Sequence, residues 1–312
     1  MSVARPRNRK PLLAVALLLL GLTLLFGGTS PDRARADDPP FLGWSAVLPP
    51  LQGTYSPTSE DECKRGATSC VDKVVREMTR RFDPLASSCD HDSVFALAYL
   101  RTTEEYRRAI QDPNFFEDTP FINHQDAVFA EYYFDAYDDW HAGRTAEVPP
   151  AWRIAFRAAE DREVSAAGNL FLGMNAHINR DLPFVLYGIG LVKPDGSTRK
   201  TDHDKVNVFL NRVMDDLIPE IAARFDPTID DSNLPGIVDE FLTFQAVPAW
   251  REAAWRNAER LANADSAAER ERVAAEIEAY AAAEAQTFKL ATSYGPLNSS
   301  ASRDSYCATR AG

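Results

Sequence analysis

Nowhere in this chain do apolar and polar residues alternate with period two between hairpin turns, which removes the sequence case for a β-sheet and leaves an all-α fold as the expectation. Glycine-rich phosphate loops and dinucleotide fingerprints are missing, as are nucleophile elbows and His-Glu-x-x-His helices. Nucleotide chemistry of those types and serine-based catalysis therefore have no anchor. Basic charge is short: 34 Lys and Arg face 46 Asp and Glu, a net charge of −12. Such a chain repels phosphate backbones and anionic headgroups, so neither nucleic acid nor an anionic membrane surface is an expected partner.

Cysteine is sparse but even in number: Cys63, Cys70, Cys89 and Cys307, with no Cys-x2-Cys zinc spacing. The N-terminus reads as an export signal, with Arg5, Arg7, Arg9 and Lys10 ahead of an apolar stretch from Leu12 to Phe26. Ala34-Arg35-Ala36 offers a small-x-small cleavage site, so a secreted mature chain beginning at Asp37 is expected, the alternative being an uncleaved membrane anchor. Without residues 1–36 the chain keeps 28 basic and 45 acidic residues, a net charge of −17. In an exported protein four cysteines favour two disulfides. Of three connectivities, Cys63–Cys70 with Cys89–Cys307 is preferred, since it joins near neighbours and ties the polar C-terminus to the body.

After the signal (1–36), residues 37–68 have the Pro, Ser and Gly content of an irregular arm, 69–292 form one bundle-like helical domain, and 293–312 form a tail held by a disulfide. Helical periodicity marks a first helix with Ser69 as N-cap and Asp83-Pro84 as stop, then helices over about 90–110, 123–140 and 162–190, the last broken at Pro183. A fifth starts at an acidic capping box, Thr201-x-x-Asp204, and others cover about 235–244, 249–263 and 267–291. Arg81-Phe82-Asp83-Pro84 is echoed by Arg224-Phe225-Asp226-Pro227, which reads as a recurrent helix stop.

Chemistry concentrates in one place. Between Val164 and Val192 the only formal charges are Arg180 and Asp181, set among Asn175, His177 and Asn179. Buried polar groups without partners cost about 1–3 kcal/mol each, so structure or a ligand must satisfy them. His177 and Asp181, four apart, share a helix face and can act as a base with its orienting carboxylate or chelate a cation, with Asn175 and Asn179 as a second pair beside them. Pro183 frees the carbonyl of Asn179 for a ligand. His203 and Glu284 lie on apolar stripes, which offers them as further ligands of a divalent cation with His177 and Asp181. His91 is a third inward-facing candidate, whereas His124, Glu131, Asp135 and Asp138 form a stripe read as the solvated face of its helix.

The string from Gly173 to Pro183 resembles the signature of a family of uncharacterised, mostly actinobacterial exported helical proteins, in which Asn-Ala-His-Ile-Asn-x-Asp-Leu recurs. The resemblance spans about Val71 to Thr292 and implies no activity, but makes the string the place to look. A weaker similarity, to zinc-dependent phospholipases C and single-strand nucleases, rests on His177 and Asp181 alone, for there is no His-x3-Glu pair and a chain starting at Asp37 lacks that group's N-terminal Trp. Two readings stand: an exported hydrolase with a His/Asp site, with or without a metal ion, acting on an unknown small molecule in a helical pocket, and a non-enzymatic extracellular binding or structural protein with a buried polar network.

Overall fold

A computed structural model describes residues 55–229 and 240–310, without the side chains of residues 211 and 240–245. The expected signal, the cleavage site and the arm up to residue 54 lie outside these residues. The fold is all-α: α1 (Thr68–Ser88), α2 (Ser93–Ala109), α3 (Thr119–His141), α4 (Pro150–Glu160), α5 (Ala166–Asn175), a π-helix (Ala176–Asp181), α6 (Leu182–Ile189), α7 (Lys200–Arg224), α8 (Glu240–Ala262), α9 (Ala267–Thr292) and α10 (Ala301–Ala308). Extended pairing among the described residues is limited to two isolated bridges, Val164 with Ser293 and Val192 with Thr198.

The centre of the molecule is the continuous run α5, π-helix and α6. Every residue of α5 is buried, as expected of a helix that is apolar on all sides. At the π-helix the run touches α3, α4, α8 and α9, and α2 crosses α5. That crossing depends on Gly173, where an added Cβ would lie 2.3 Å from the Phe95 ring. The backbone break expected at Pro183 is spread over the turn before it. Proline has no N–H for the carbonyl four residues back, and the ladder widens to a five-residue step in which Leu182 N–H donates to His177 O.

Both disulfides form as preferred, Cys63–Cys70 and Cys89–Cys307, with Cα separations of 5.0 and 5.9 Å. Cys89 ends α1 in the left-handed region, φ 55°, and its partner lies in α10. The expected tail therefore contains a helix, and Asp304 on it bonds His91 Nε2 at 2.9 Å. Four boundaries differ from the periodicity reading. Asp83-Pro84 does not stop α1, which runs four residues further because the Ser87 and Ser88 hydroxyls return to the Pro84 carbonyl and Leu85 is buried. Thr201 is the second residue of α7 rather than its cap, and Ser69 lies inside α1. α8 runs through Pro248 as one helix. The two Arg-Phe-Asp-Pro echoes meet: Phe82 and Phe225 pack edge to face at 6.4 Å, and the Arg224 guanidinium covers Phe82.

Replacing Gly173 by Ala should destabilise the protein by about 1–3 kcal/mol in urea titration, because overpacking against Phe95 outweighs the helix-propensity gain of about 1 kcal/mol. A neutral or stabilising effect would show that α2 and α5 are less closely apposed.

Candidate active site

All five polar side chains of the central string are buried, none more than 3% exposed. Asn175 Nδ2 donates to the Ala281 carbonyl at 2.8 Å and its Oδ1 accepts from Asn179 Nδ2 at 2.9 Å, so this pair packs the run against α9. Of the two amides, expected from the sequence to act at the site, Asn175 Nδ2, Asn175 Oδ1 and Asn179 Nδ2 are bonded to each other and to backbone. Arg180 bridges two acids, Nε to Glu278 Oε1 at 2.8 Å and Nη1 to Asp181 Oδ1 at 2.9 Å, under the Phe184 ring.

Asp181 also accepts from Trp152 Nε1 at 2.9 Å and lies 3.0 Å from His177 Nδ1. A carboxylate oxygen can only accept, so the His177 proton sits on Nδ1 and Nε2 keeps its lone pair. Nε2 is buried and has no hydrogen-bond partner among the described residues. The imidazole stacks on Phe129 with centroids 3.5 Å apart and planes 5° from parallel, and Tyr99 packs edge-on at 4.4 Å. Burial lowers the pKa of His177 below its ordinary value, outweighing the Asp181 bond, which keeps the ring neutral.

His177 lines a cavity of about 140 Å³ walled by α2, α3, α5, α7, α8 and the π-helix. Most of the wall is apolar, including Phe95, Phe129, Phe209, Leu210 and Met214. Tyr99, Asp126 and Arg251 are among the further polar residues that line it, while the hydroxyls of Thr102, Thr103 and Tyr106 are spent on Ala98 O, Tyr99 O and Asn123 Oδ1. Asp126 Oδ2 and the Tyr99 hydroxyl are buried without hydrogen-bond partners among the described residues. Burial pushes the Asp126 carboxyl up to about 7, and burial with Asp126 nearby pushes the Tyr99 phenol up as well. Both groups thus carry a proton to donate at mildly acid pH. Arg251 is buried, its Nε bonded to Asn207 Oδ1 at 2.8 Å and Nη2 to the His203 carbonyl at 2.6 Å.

The cation set expected from the sequence is not assembled. His203 is buried, but its Nε2 lies 3.1 Å from the Arg251 carbonyl and its ring packs on Trp255. Glu284 is half-buried on another side of α9, whose inward acid is Glu278. Asp181 already accepts three hydrogen bonds, and a cation beside it would face the Arg180 guanidinium. Among the described residues no group of three or more His, Cys, Asp and Glu side chains is arranged to hold a metal ion. The stripe on α3 is not uniformly solvated either. His124 is buried with Nδ1 3.0 Å from the Cys63 carbonyl, and Asp138 holds Arg81.

Asp126, Tyr99, Trp152, Arg251 and Glu278 were not singled out by spacing. Two left a signal. Asp126 lies on a face with Ile122 and Phe129, and Arg251 on one with Val247, Ala254 and Ala258, each a charge at a helical step from apolar residues.

A model of a family of unknown function, DUF5995, matches residues 71–290. No curated protein and no solved structure matches the chain.

Truncating Glu278 to Ala should cost about 3 kcal/mol or more in chemical denaturation, since Arg180 loses one of two buried acids, whereas Glu284→Ala should cost about 1 kcal/mol or less. Equal losses would mean that Glu284, not only Glu278, faces a buried partner.

Proposed function

The chain belongs to the DUF5995 family of unknown function, and from the cavity we propose that it is an exported hydrolase of small apolar esters or amides, with His177 as general base and Asp181 as its orienting partner. One observation carries the reading: a neutral imidazole, its Nδ1 held by a buried carboxylate, presents an unpartnered Nε2 at an apolar cavity. In the proposed step water attacks the carbonyl carbon while Nε2 takes its proton. The Tyr99 hydroxyl and the protonated Asp126 carboxyl donate to the developing oxyanion. Collapse breaks the bond from the carbonyl carbon to the leaving oxygen or nitrogen, and the imidazolium returns the proton to that atom. Asn175 and Asn179 serve as positioning residues, and the Asn-Ala-His-Ile-Asn-x-Asp-Leu string is taken as the family's signature because it supplies both members of the dyad.

Export is supported by the basic and apolar N-terminal pattern and by two disulfides, which persist in oxidising compartments. No described helix is long and apolar enough to cross a membrane. Net acidity supports a small-molecule substrate over nucleic acid or an anionic lipid surface. A binding protein is the second reading, favoured by the saturation of Asp181 and Arg180 with structural bonds.

The test is hydrolysis of p-nitrophenyl esters of short acids. His177→Asn should lower kcat by about 10²–10⁴ with the fold intact by circular dichroism, and Asp181→Asn should act in the same direction by misplacing the imidazole proton. Because the His177 pKa lies below its ordinary value, the acid limb of the pH profile should fall below about 6.5. Loss of the Asp126 proton should make activity decline as pH rises through about 7, a limb that Asp126→Asn removes. A folded His177→Asn protein as active as the parent overturns the reading. Specific binding by a parent protein that turns over no ester favours the binding reading.

A further inference from the structure

Two buried arginines, Arg251 and Arg303, make no ion pair among the described residues; Arg303 is held by Asn169 Oδ1, His91 Nδ1 and a backbone carbonyl, and Arg251 is the one that lines the cavity of His177. Arg81 and Arg180 each pair with a carboxylate, whereas Arg251, 5% exposed, makes no ion pair among the described residues. Its hydrogen bonds go to Asn207 Oδ1, the His203 carbonyl and, at 3.4 Å, His203 Nδ1, all neutral acceptors, and Nη1 has no protein partner among the described residues. A buried guanidinium without an ion-paired carboxylate is costly, and burial, offset only in part by the charge of Asp204, pulls its pKa down to about 10. It lines the same cavity as His177, with Val206, Val247 and Pro248 around it.

We propose that this cavity takes a ligand bearing a free carboxylate, which pairs with Arg251 while the apolar body of the ligand lies between α2 and α7. The inference rests on the reading of the cavity as a substrate site and narrows its substrate to an apolar ester or amide that also carries a carboxylate. A monoanion matches the single guanidinium. A dianionic phosphate would bring a second charge among apolar walls, in a cavity that also holds Asp126. The lining runs from Phe95 to Tyr106 on α2 and from Val206 to Leu217 on α7, which at a rise of about 1.5 Å per residue is about three turns of each helix. A volume of about 140 Å³ is close to that of a cavity known to admit benzene, so the body is ring-sized or a short chain.

Calorimetric titration with 3-phenylpropanoate, hexanoate and the neutral 3-phenylpropan-1-ol tests this on the parent and on His177→Asn, Arg251→Met and Arg251→Lys proteins. The parent should bind 3-phenylpropanoate at least about 10-fold more tightly than the alcohol, as a charge-assisted hydrogen bond requires. Arg251→Met should remove that preference while leaving alcohol binding unchanged, and Arg251→Lys should keep part of it. His177→Asn alters the wall that acid and alcohol share and so should keep the acid-over-alcohol preference whatever it does to each affinity, which separates carboxylate recognition from catalysis: ester turnover can fail while the preference stands, and the reverse. Equal affinity of acid and alcohol in the parent overturns the proposal, as does a preference that survives Arg251→Met, or failure of both acids to bind at millimolar concentration. If Arg251→Met does not fold, the acid-to-alcohol comparison on the parent and on Arg251→Lys decides.

Discussion

The arrangement depends on the burial of an Arg-Asp dipeptide at the centre of the molecule. Ions this deep are tolerated only when neighbours supply both counter-charge and hydrogen bonds. Four elements are therefore committed to the same few atoms. α9 supplies Glu278 and the Ala281 carbonyl, α4 supplies Trp152, α3 supplies the Tyr132 face over Arg180, and the π-helix supplies the two ions with Asn175 at its edge. The position of α4 follows from one indole N–H that must reach Asp181. Packing area alone would permit small slides of these helices, whereas directed bonds of 2.8–2.9 Å do not.

The same bonds prepare His177. Asp181 Oδ2 is shared between Trp152 and His177, and Arg180 holds the other oxygen, so the carboxylate cannot rotate away from the imidazole. Stacking on Phe129 fixes the ring plane. Asp181 sets the tautomer, Asp181 and Phe129 set the orientation, and burial keeps the imidazole neutral, with Nε2 left for whatever enters. Pro183 contributes from a distance: by removing one donor it favours the wider turn in which these side chains are presented.

Much of this was legible in the residues. A polar string in an apolar helix marks itself, and the His177–Asp181 contact follows from a spacing of four. The all-α class and the disulfide pairing were legible for similar reasons: period 3.6 is a strong signal, and four cysteines allow few arrangements. What escaped was set by tertiary neighbours. Spacing points to Glu284 rather than Glu278, because Glu284 is in helical step with Tyr280 and Phe288. On an alanine-rich helix, however, the buried face is defined by small residues, Ala281 and Ala285, which carry little hydrophobic contrast. α4 and α10 are short, and α10 is held in place partly by Cys307, whose partner is 218 residues away in sequence. Pro84, Pro219 and Pro248 lie inside helices, where the surrounding packing outweighs the local preference to stop.

The polar groups of the interior divide into two sets with different energetics. Around Asp181 and Arg180 nearly every donor and acceptor is paired within the protein, as a structural network demands. On the cavity wall some groups differ: among the described residues His177 Nε2, Asp126 Oδ2 and the Tyr99 hydroxyl have no hydrogen-bond partner, and Arg251 makes no ion pair. A protein needing only a stable core would do better with apolar residues at these four positions, since each uncompensated group costs about 1–3 kcal/mol or more. Chance explains one orphan easily. Four on one wall-to-wall space, comprising an acceptor, two groups that carry protons to donate and a cation, make a complementary set for a single polar solute, and the paired network behind them is what holds that set open.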